Sequence, residues 1–187
     1  MISAVIDACV LYPAPLRDFL LRLASAGFVV PFWSVEIRDE WIRSLLRNRP
    51  DLKRESLERT CRNMDFHFPK GLVRGYESMI PTLTLPDPKD RHVLAVAIHA
   101  EAKCIVTHNL KDFPKTIMEL YGIEVVSPDE LVFRLIQQAP RPVMLVVKKH
   151  RLGLTRPPKT VDKHLATLEK QGLHKTVAFL REHKADL

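Results

Sequence analysis

Short apolar runs alternate along this chain with stretches in which apolar residues recur every three or four positions. Residues 2–6 (Ile-Ser-Ala-Val-Ile) read as a short buried strand ending at Asp7. Leu16, Phe19, Leu20 and Leu23 recur at helical spacing between Leu16 and Ala26. Gly27 stands where a helix stop is expected. Phe28-Val29-Val30-Pro31-Phe32 reads as a second strand. Ser34 is a good N-cap, and Ile37, Trp41 and Leu45 form a stripe that predicts a helix over 35–47.

Residues 51–64 are a charged, arginine-rich helix candidate, and 65–85 read as irregular connections with one small helix. Asp87-Pro88 opens a further helix through Val93, Leu94, Val96, Ala97 and Ile98. Cys104-Ile105-Val106-Thr107 reads as a buried strand followed by a loop at 108–114. A short helix at 115–121, a strand at 123–126 and a helix at 128–138 complete this part. The alternation of strands and helices predicts an α/β fold, a three-layer arrangement around a parallel sheet. In such sheets ligands bind beyond the carboxyl ends of the strands.

Pro140, Pro142 and the run Lys148-Lys149-His150-Arg151 read as a boundary, dividing the chain into a body at 1–138 and an extension at 139–187. Val161, Leu165 and Leu168, then Leu173, Val177 and Leu180 after Gly172, predict a helical hairpin. It is too small to own a core, so it must pack on the body or on a partner.

Charge sharpens that division. Residues 1–139 carry 18 basic and 18 acidic side chains, whereas 140–187 carry 11 basic and 4 acidic ones. The whole net charge of +7 therefore lies in the extension. A basic appendage on a neutral body suggests contact with a polyanion, most simply nucleic acid. The alternative is a solvated helix face. Cys9, Cys61 and Cys104 fit neither a disulfide framework nor a zinc ribbon, and the eight histidines show no HxxxH or HExxH spacing. No apolar run reaches the roughly 18 residues of a membrane span. The opening Met-Ile-Ser-Ala-Val-Ile-Asp has no basic leader, so the expected location is cytoplasmic.

Four acidic residues in separate segments carry the candidate chemistry: Asp7, Glu40, Asp90 and Asp112. Parallel strands would gather them at one edge, where a carboxylate cluster suits Mg²⁺ or Mn²⁺. Each has a bland alternative. Asp7 can be only a helix cap. Glu40, or Glu36 one turn earlier, can be a solvated helix glutamate. Asp87, three residues before Asp90, can be an N-cap at a helix start whose partial positive charge favours it. Yet two acids before a nearly wholly apolar helix call for a compensating cation. Asn109 and Asp112 offer two oxygen ligands from one loop, Phe113 can anchor that loop, and Thr107 can hydrogen-bond a carboxylate or phosphate.

These segments together resemble the PIN-domain family, in particular the VapC-type toxins of bacterial toxin–antitoxin pairs. The resemblance rests on the opening strand with Asp7, on Ser34-Val35-Glu36-Ile37-Arg38-Asp39-Glu40, on Asp87-Pro88-Lys89-Asp90-Arg91-His92-Val93-Leu94-Ala95, and on Val106-Thr107 to Asn109 with Asp112-Phe113-Pro114. It covers about residues 1–135. It implies a PIN-like α/β/α sandwich and a Mg²⁺- or Mn²⁺-dependent endoribonuclease that hydrolyses RNA by activating water. Asp7, Glu40 and Asp90 take the positions of the family's acidic triad. At the fourth position, two residues after the threonine, Asn109 replaces the frequent acid, and Asp112 is the nearest carboxylate. A cognate antitoxin is the implied partner, and homodimers are common in the family. The basic extension is similar to one found on a subset of these toxins.

Arg43, Arg47 and Arg91, with Lys148, Lys149 and Arg151, are the candidate grips on the RNA backbone. Two alternatives stay open: a non-toxin PIN nuclease of RNA processing, and a catalytically weak RNA- or antitoxin-binding module suggested by Asn109. A haloacid-dehalogenase-type phosphatase ranks lower, because Cys9 stands where its second aspartate belongs.

Overall fold

Four parallel strands lie in the order β2-β1-β3-β4: β1 at Ile2–Ile6, β2 at Val29–Phe32, β3 at Cys104–Val106 and β4 at Glu124–Val126. They belong to a computed structural model that describes residues 1–187. The two central strands are apolar on both faces, and Ala4, Val5, Ile6, Cys104, Ile105 and Val106 are all buried. Such strands need cover on both sides, which the crossover helices of a parallel sheet provide.

Those helices are α1 at Ala8–Leu11, α2 at Ala14–Ser25, α3 at Val35–Asn48, α4 at Arg54–His67, α5 at Arg91–His99, α6 at Lys115–Met118 and α7 at Pro128–Gln138. The stripe predicted for α2 is buried at Leu16, Phe19, Leu20 and Leu23. Ser34 caps α3, its hydroxyl accepting the Ile37 N–H at 3.1 Å. Ile37 and Trp41 are buried there, while Leu45 is only partly covered. Helix α1 has no counterpart in the periodicity, because four residues are too few to show a period. Helix α4 begins three residues later than expected, since Asp51 is engaged in a turn with Arg49.

The extension differs more from expectation. The stretch read as an irregular boundary is a helix, α8 at Pro140–Gly153, followed by α9 at Val161–Glu169 and α10 at His174–Glu182. Three helices stand where a hairpin was expected. Pro140 and Pro142 fall in the first turn of α8, where a missing N–H leaves no intrahelical bond unmade. Behind them Val143, Met144, Val146, Val147 and His150 are buried.

The extension packs on the body rather than standing free. Helix α10 lies against α7, and α8 and α9 lie against α2. Leu165, Leu168, Leu173, Val177 and Leu180 join the same continuous core as the sheet. The buried Asp129, in the first turn of α7, accepts the Lys175 and Thr176 N–H groups at 2.8 and 2.9 Å and so caps α10. Gly172, with φ of +86°, turns the chain between α9 and α10; a Cβ there would lie 3.7 Å from the His108 ring of the loop after β3. No helix is long and apolar enough to cross a membrane.

Candidate active site

An open cavity of about 720 Å³ brings three of the four singled-out acids together. Asp7, Glu40 and Asp90 line it with Asn109, and Arg43, Ser44, Arg47 and Tyr12 complete its wall.

Asp7 follows β1 directly. Its N–H continues the sheet by donating to the Val106 carbonyl at 3.1 Å. Its carboxylate caps α1, Oδ1 accepting the Ala8 N–H at 2.6 Å. Oδ2 accepts the Thr107 hydroxyl at 2.6 Å and the Cys9 thiol at 3.1 Å. Thr107, fully buried, in turn accepts the Asn109 N–H at 3.0 Å. The cap reading of Asp7 thus holds alongside its place in the cavity. Every partner of this buried carboxylate is a neutral donor.

Asp90 stands at the N-cap of α5 without a side-chain capping bond. Its carboxyl is pushed up to about 6, first by burial and then by the charges of Asp7, Asp87 and Asp112, with His92 partly offsetting them. Negative charge is therefore crowded here beyond what the protein's own cations neutralise. Glu40, on α3, accepts a hydrogen bond from His92 Nε2 at 3.2 Å. Glu36 lies outside the cavity lining, half-exposed and 3.7 Å from His92 Nδ1.

The fourth position is split. Asn109 lines the cavity, whereas Asp112, at the end of a short 3₁₀ turn at Leu110–Asp112, is not among the lining residues but is near enough for its charge to raise Asp90. Phe113 is buried beneath that turn. Asp87 caps the 3₁₀ turn Pro88–Asp90, accepting the Lys89 N–H at 2.9 Å. Of the expected basic residues, Arg43 and Arg47 face the cavity and Arg91 does not. Lys148 donates to the Asp186 carbonyl at 3.3 Å and Lys149 is exposed. Arg151 is tied to the Lys159 and Leu187 carbonyls at 3.4 and 3.3 Å.

Several residues of the site were not singled out in sequence. Tyr12 lines the cavity, its hydroxyl accepting from Asn48 Nδ2 at 3.1 Å. No periodicity points to Tyr12, because α1 is one turn long. Ser44 does carry a signal, lying four residues after Glu40 on one helix face. Cys9 is half-buried in the cavity wall. Its thiol is pushed up to about 12 by burial and then by Asp7, so it stays protonated.

No three His, Cys, Asp or Glu side chains form a ready-made coordination shell. The donors nevertheless fit a hard divalent cation. Mg²⁺ is commonly held by one or two carboxylates and keeps several waters. Asp7 and Asp90 supply oxygens to an open, polar cavity in which Asp7, Asp87 and Asp112 add to burial in raising Asp90, an environment a cation would relieve.

Comparisons with known proteins agree with this architecture. A family model described as PIN domain matches residues 3–111, more than half of the chain. That span contains Asp7, Glu40, Asp90 and Asn109 and stops one residue before Asp112. A second model, described as the VapC50 C-terminal domain, matches residues 128–182, from α7 to α10. Among curated proteins, "Putative ribonuclease VapC50" of Mycobacterium tuberculosis is 37% identical over 84 residues, covering 41% of this chain and 49% of that protein. The chain thus matches about half the length of this relative. No solved structure matches it. With its acids gathered beyond the carboxyl ends of a parallel sheet and this match over most of the sheet and its crossovers, the chain belongs to the PIN-domain family.

Proposed function

We propose that the cavity is the active site of a divalent-metal-dependent endoribonuclease, the toxin of a type II toxin–antitoxin pair. The observation that carries this reading is a single cavity lined both by acids, Asp7, Asp90 and Glu40, and by bases, Arg43 and Arg47. The name of the mycobacterial relative supports the choice of RNA as substrate.

Asp7 and Asp90 would hold Mg²⁺ or Mn²⁺, with Glu40 beside them and Asp112 acting at longer range. When bound, such an ion neutralises phosphate charge and acidifies water for attack on the phosphodiester. Thr107, Cys9 and the Ala8 N–H fix the orientation of the Asp7 carboxylate. Arg43 and Arg47 place phosphates beside the acids, where an RNA strand would otherwise be repelled. Hydrolysis adds water across the P–O3′ bond and leaves a 5′-phosphate and a 3′-hydroxyl. The 2′-hydroxyl takes no part, so single-stranded DNA is a second potential substrate.

The partner in this reading is a cognate antitoxin that lays a basic or aromatic segment into the acidic cavity, within the cytoplasm. The division into a nuclease body, 1–138, and a basic extension, 139–187, belongs to the same proposal. Helix α7 serves both parts: Leu131 faces the sheet beside Ile6 and Val29, while Asp129 caps α10.

Asn109 at the cavity, with Asp112 not among its lining residues, favours a second reading: a weakly catalytic RNA- or antitoxin-binding module. One experiment separates the two. Purified protein is incubated with single-stranded RNA and Mn²⁺, with and without chelator, beside Asp7→Asn. Cleavage lost in both controls supports the nuclease. RNA binding without cleavage in the unaltered protein supports the module. Cleavage that survives both controls overturns the metal-dependent mechanism.

A further inference from the structure

His92 is the most completely buried ionisable group beside the cavity, with 3% of its surface exposed. It occupies the first turn of α5, two residues after Asp90, and its ring reaches across to α3. There Nε2 lies 3.2 Å from Glu40 Oε1, within hydrogen-bond range. Nδ1 lies 3.7 Å from Glu36 Oε2 and has no hydrogen-bond partner, although it is buried. Glu36 and Glu40 are four residues apart, so α3 presents both carboxylates to one imidazole. Buried polar groups are normally satisfied, and an unpaired one in a native site calls for an explanation.

We propose that His92 is a positioning residue that holds the Glu40 carboxylate in the cavity wall. Glu36 is a reserve partner that keeps the ring in place when Glu40 turns toward a bound cation. The inference rests on the nuclease reading above and adds to it the device that fixes the Asp90-to-Glu40 spacing. Asp90 and His92 share one helix start, so a single His92–Glu40 bond couples the helix carrying one acid to the helix carrying the other. Without it, Glu40 is a one-third-exposed glutamate on a helix surface, free to leave the cavity for solvent. Partners of this kind, which bond to a metal-holding group rather than to the metal, commonly change affinity or activity by roughly 10–100-fold when removed.

The geometry discriminates among substitutions. Glutamine at position 92 places an amide N–H near the present Nε2 and can still bond Glu40. Asparagine is shorter and places its N–H near Nδ1, on the Glu36 side. Leucine offers neither. The test compares His92→Gln, His92→Asn and His92→Leu, alone and combined with Glu40→Gln. It reads kcat and KM on a single-stranded RNA and, independently of turnover, Mn²⁺ affinity from the paramagnetic signal of free Mn²⁺.

His92→Asn and His92→Leu should weaken Mn²⁺ binding and lower kcat by about 10-fold or more, with KM changed less than about threefold. His92→Gln should restore most of both, and none of the three should add to the loss in a Glu40→Gln background. Equal losses for Gln and Asn, or losses that add to that of Glu40→Gln, would overturn the positioning role in favour of a merely structural one. Mn²⁺ affinity within twofold of the parent in His92→Asn would overturn it as well. Should the leucine variant not fold, the Gln–Asn pair still decides. If the parent protein cleaves nothing, or Asp7→Asn cleaves undiminished, the nuclease reading itself fails. The Mn²⁺ isotherms then still report whether His92 positions Glu40.

Discussion

Two buried histidine sites, one at the cavity and one in the extension, answer opposite electrostatic demands. His92 faces Glu40, Glu36 and, farther off, Asp7. Burial pushes its pKa down, but the Glu40 hydrogen bond and the surrounding carboxylate charges outweigh burial and leave it above the ordinary imidazole value. His150 and His164, both about 1% exposed, bond to each other at 3.1 Å between Nδ1 and Nε2. His150 Nε2 lies 3.2 Å from Asp18 on α2, and its ring stacks on Phe19 at 5.4 Å. Here burial, then the charges of His150, Lys159 and Arg151, push His164 down to about 4. His164 is therefore held neutral where the extension docks, whereas His92 is drawn toward its charged form beside the cavity. Depth of burial is similar at the two sites, and the sign of the neighbouring charge separates them.

The contrast can be broken most forcefully at Asp90. Asp90→Asn should lower the cleavage rate by roughly 10²–10⁴-fold, the range of a lost catalytic group. The same substitution should stabilise the metal-free protein. A carboxyl raised from its ordinary value to about 6 favours the protonated fold, so stability is lost as pH rises through that interval. Discounted for solvent screening at this partly exposed group, relief of that charge is worth on the order of 1 kcal/mol at pH 7–8. It should appear as a gain of about 2–4 °C in melting temperature in chelator. Added Mg²⁺ should raise the melting temperature of the parent protein and not that of Asp90→Asn.

At the other site the pH dependence runs the opposite way. A histidine whose folded pKa is depressed contributes stability above its ordinary value of about 6.5, and that contribution is lost as pH falls toward 4. The full effect is on the order of 3 kcal/mol. Denaturant titrations between pH 7.5 and 4.5 should show this loss in the parent protein and a flatter profile in His164→Leu. An equal slope in the two proteins would remove His164 as the reason.

A smaller effect is expected at the two cavity arginines. Arg47→Ala and Arg43→Ala should each raise KM for RNA several-fold, by roughly 1 kcal/mol, with kcat nearly unchanged and a weaker salt dependence. The smallest effect lies in the titration of the two histidines themselves. In NMR titrations His92 should titrate above ordinary histidine and His164 below it, and Glu40→Gln should move His92 downward while leaving His164 in place.

Much of this arrangement was legible in the residues. The strand ending at Asp7, the Ser34-capped helix carrying Glu40 and the run from Asp87 into an apolar helix each have a local signature. Together they name the acids and the sheet edge where they meet. What stayed hidden depends on distant partners. Asn109 and Asp112 lie on one loop and are not distinguished by spacing, yet Asn109 lines the cavity and Asp112, in the turn Leu110–Asp112, does not. Glu36 and Glu40 are equivalent by helical spacing, and only the placement of α5 gives Glu40 the bond to His92. The prolines of 140–142 look like a break, yet they begin a helix because the apolar face behind them finds α2 and α7 to cover it.

Most elements of residues 1–138, the parallel sense of the strands, the candidate acids and the segregation of charge into the extension follow from composition or from spacing within one segment. Tertiary structure decided which carboxylates share a cavity, which histidine is pulled upward and which downward, and that the extension joins the core. Those outcomes depend on distances between residues as far apart as 7 and 107 or 18 and 150, and on the sign of the charge met there.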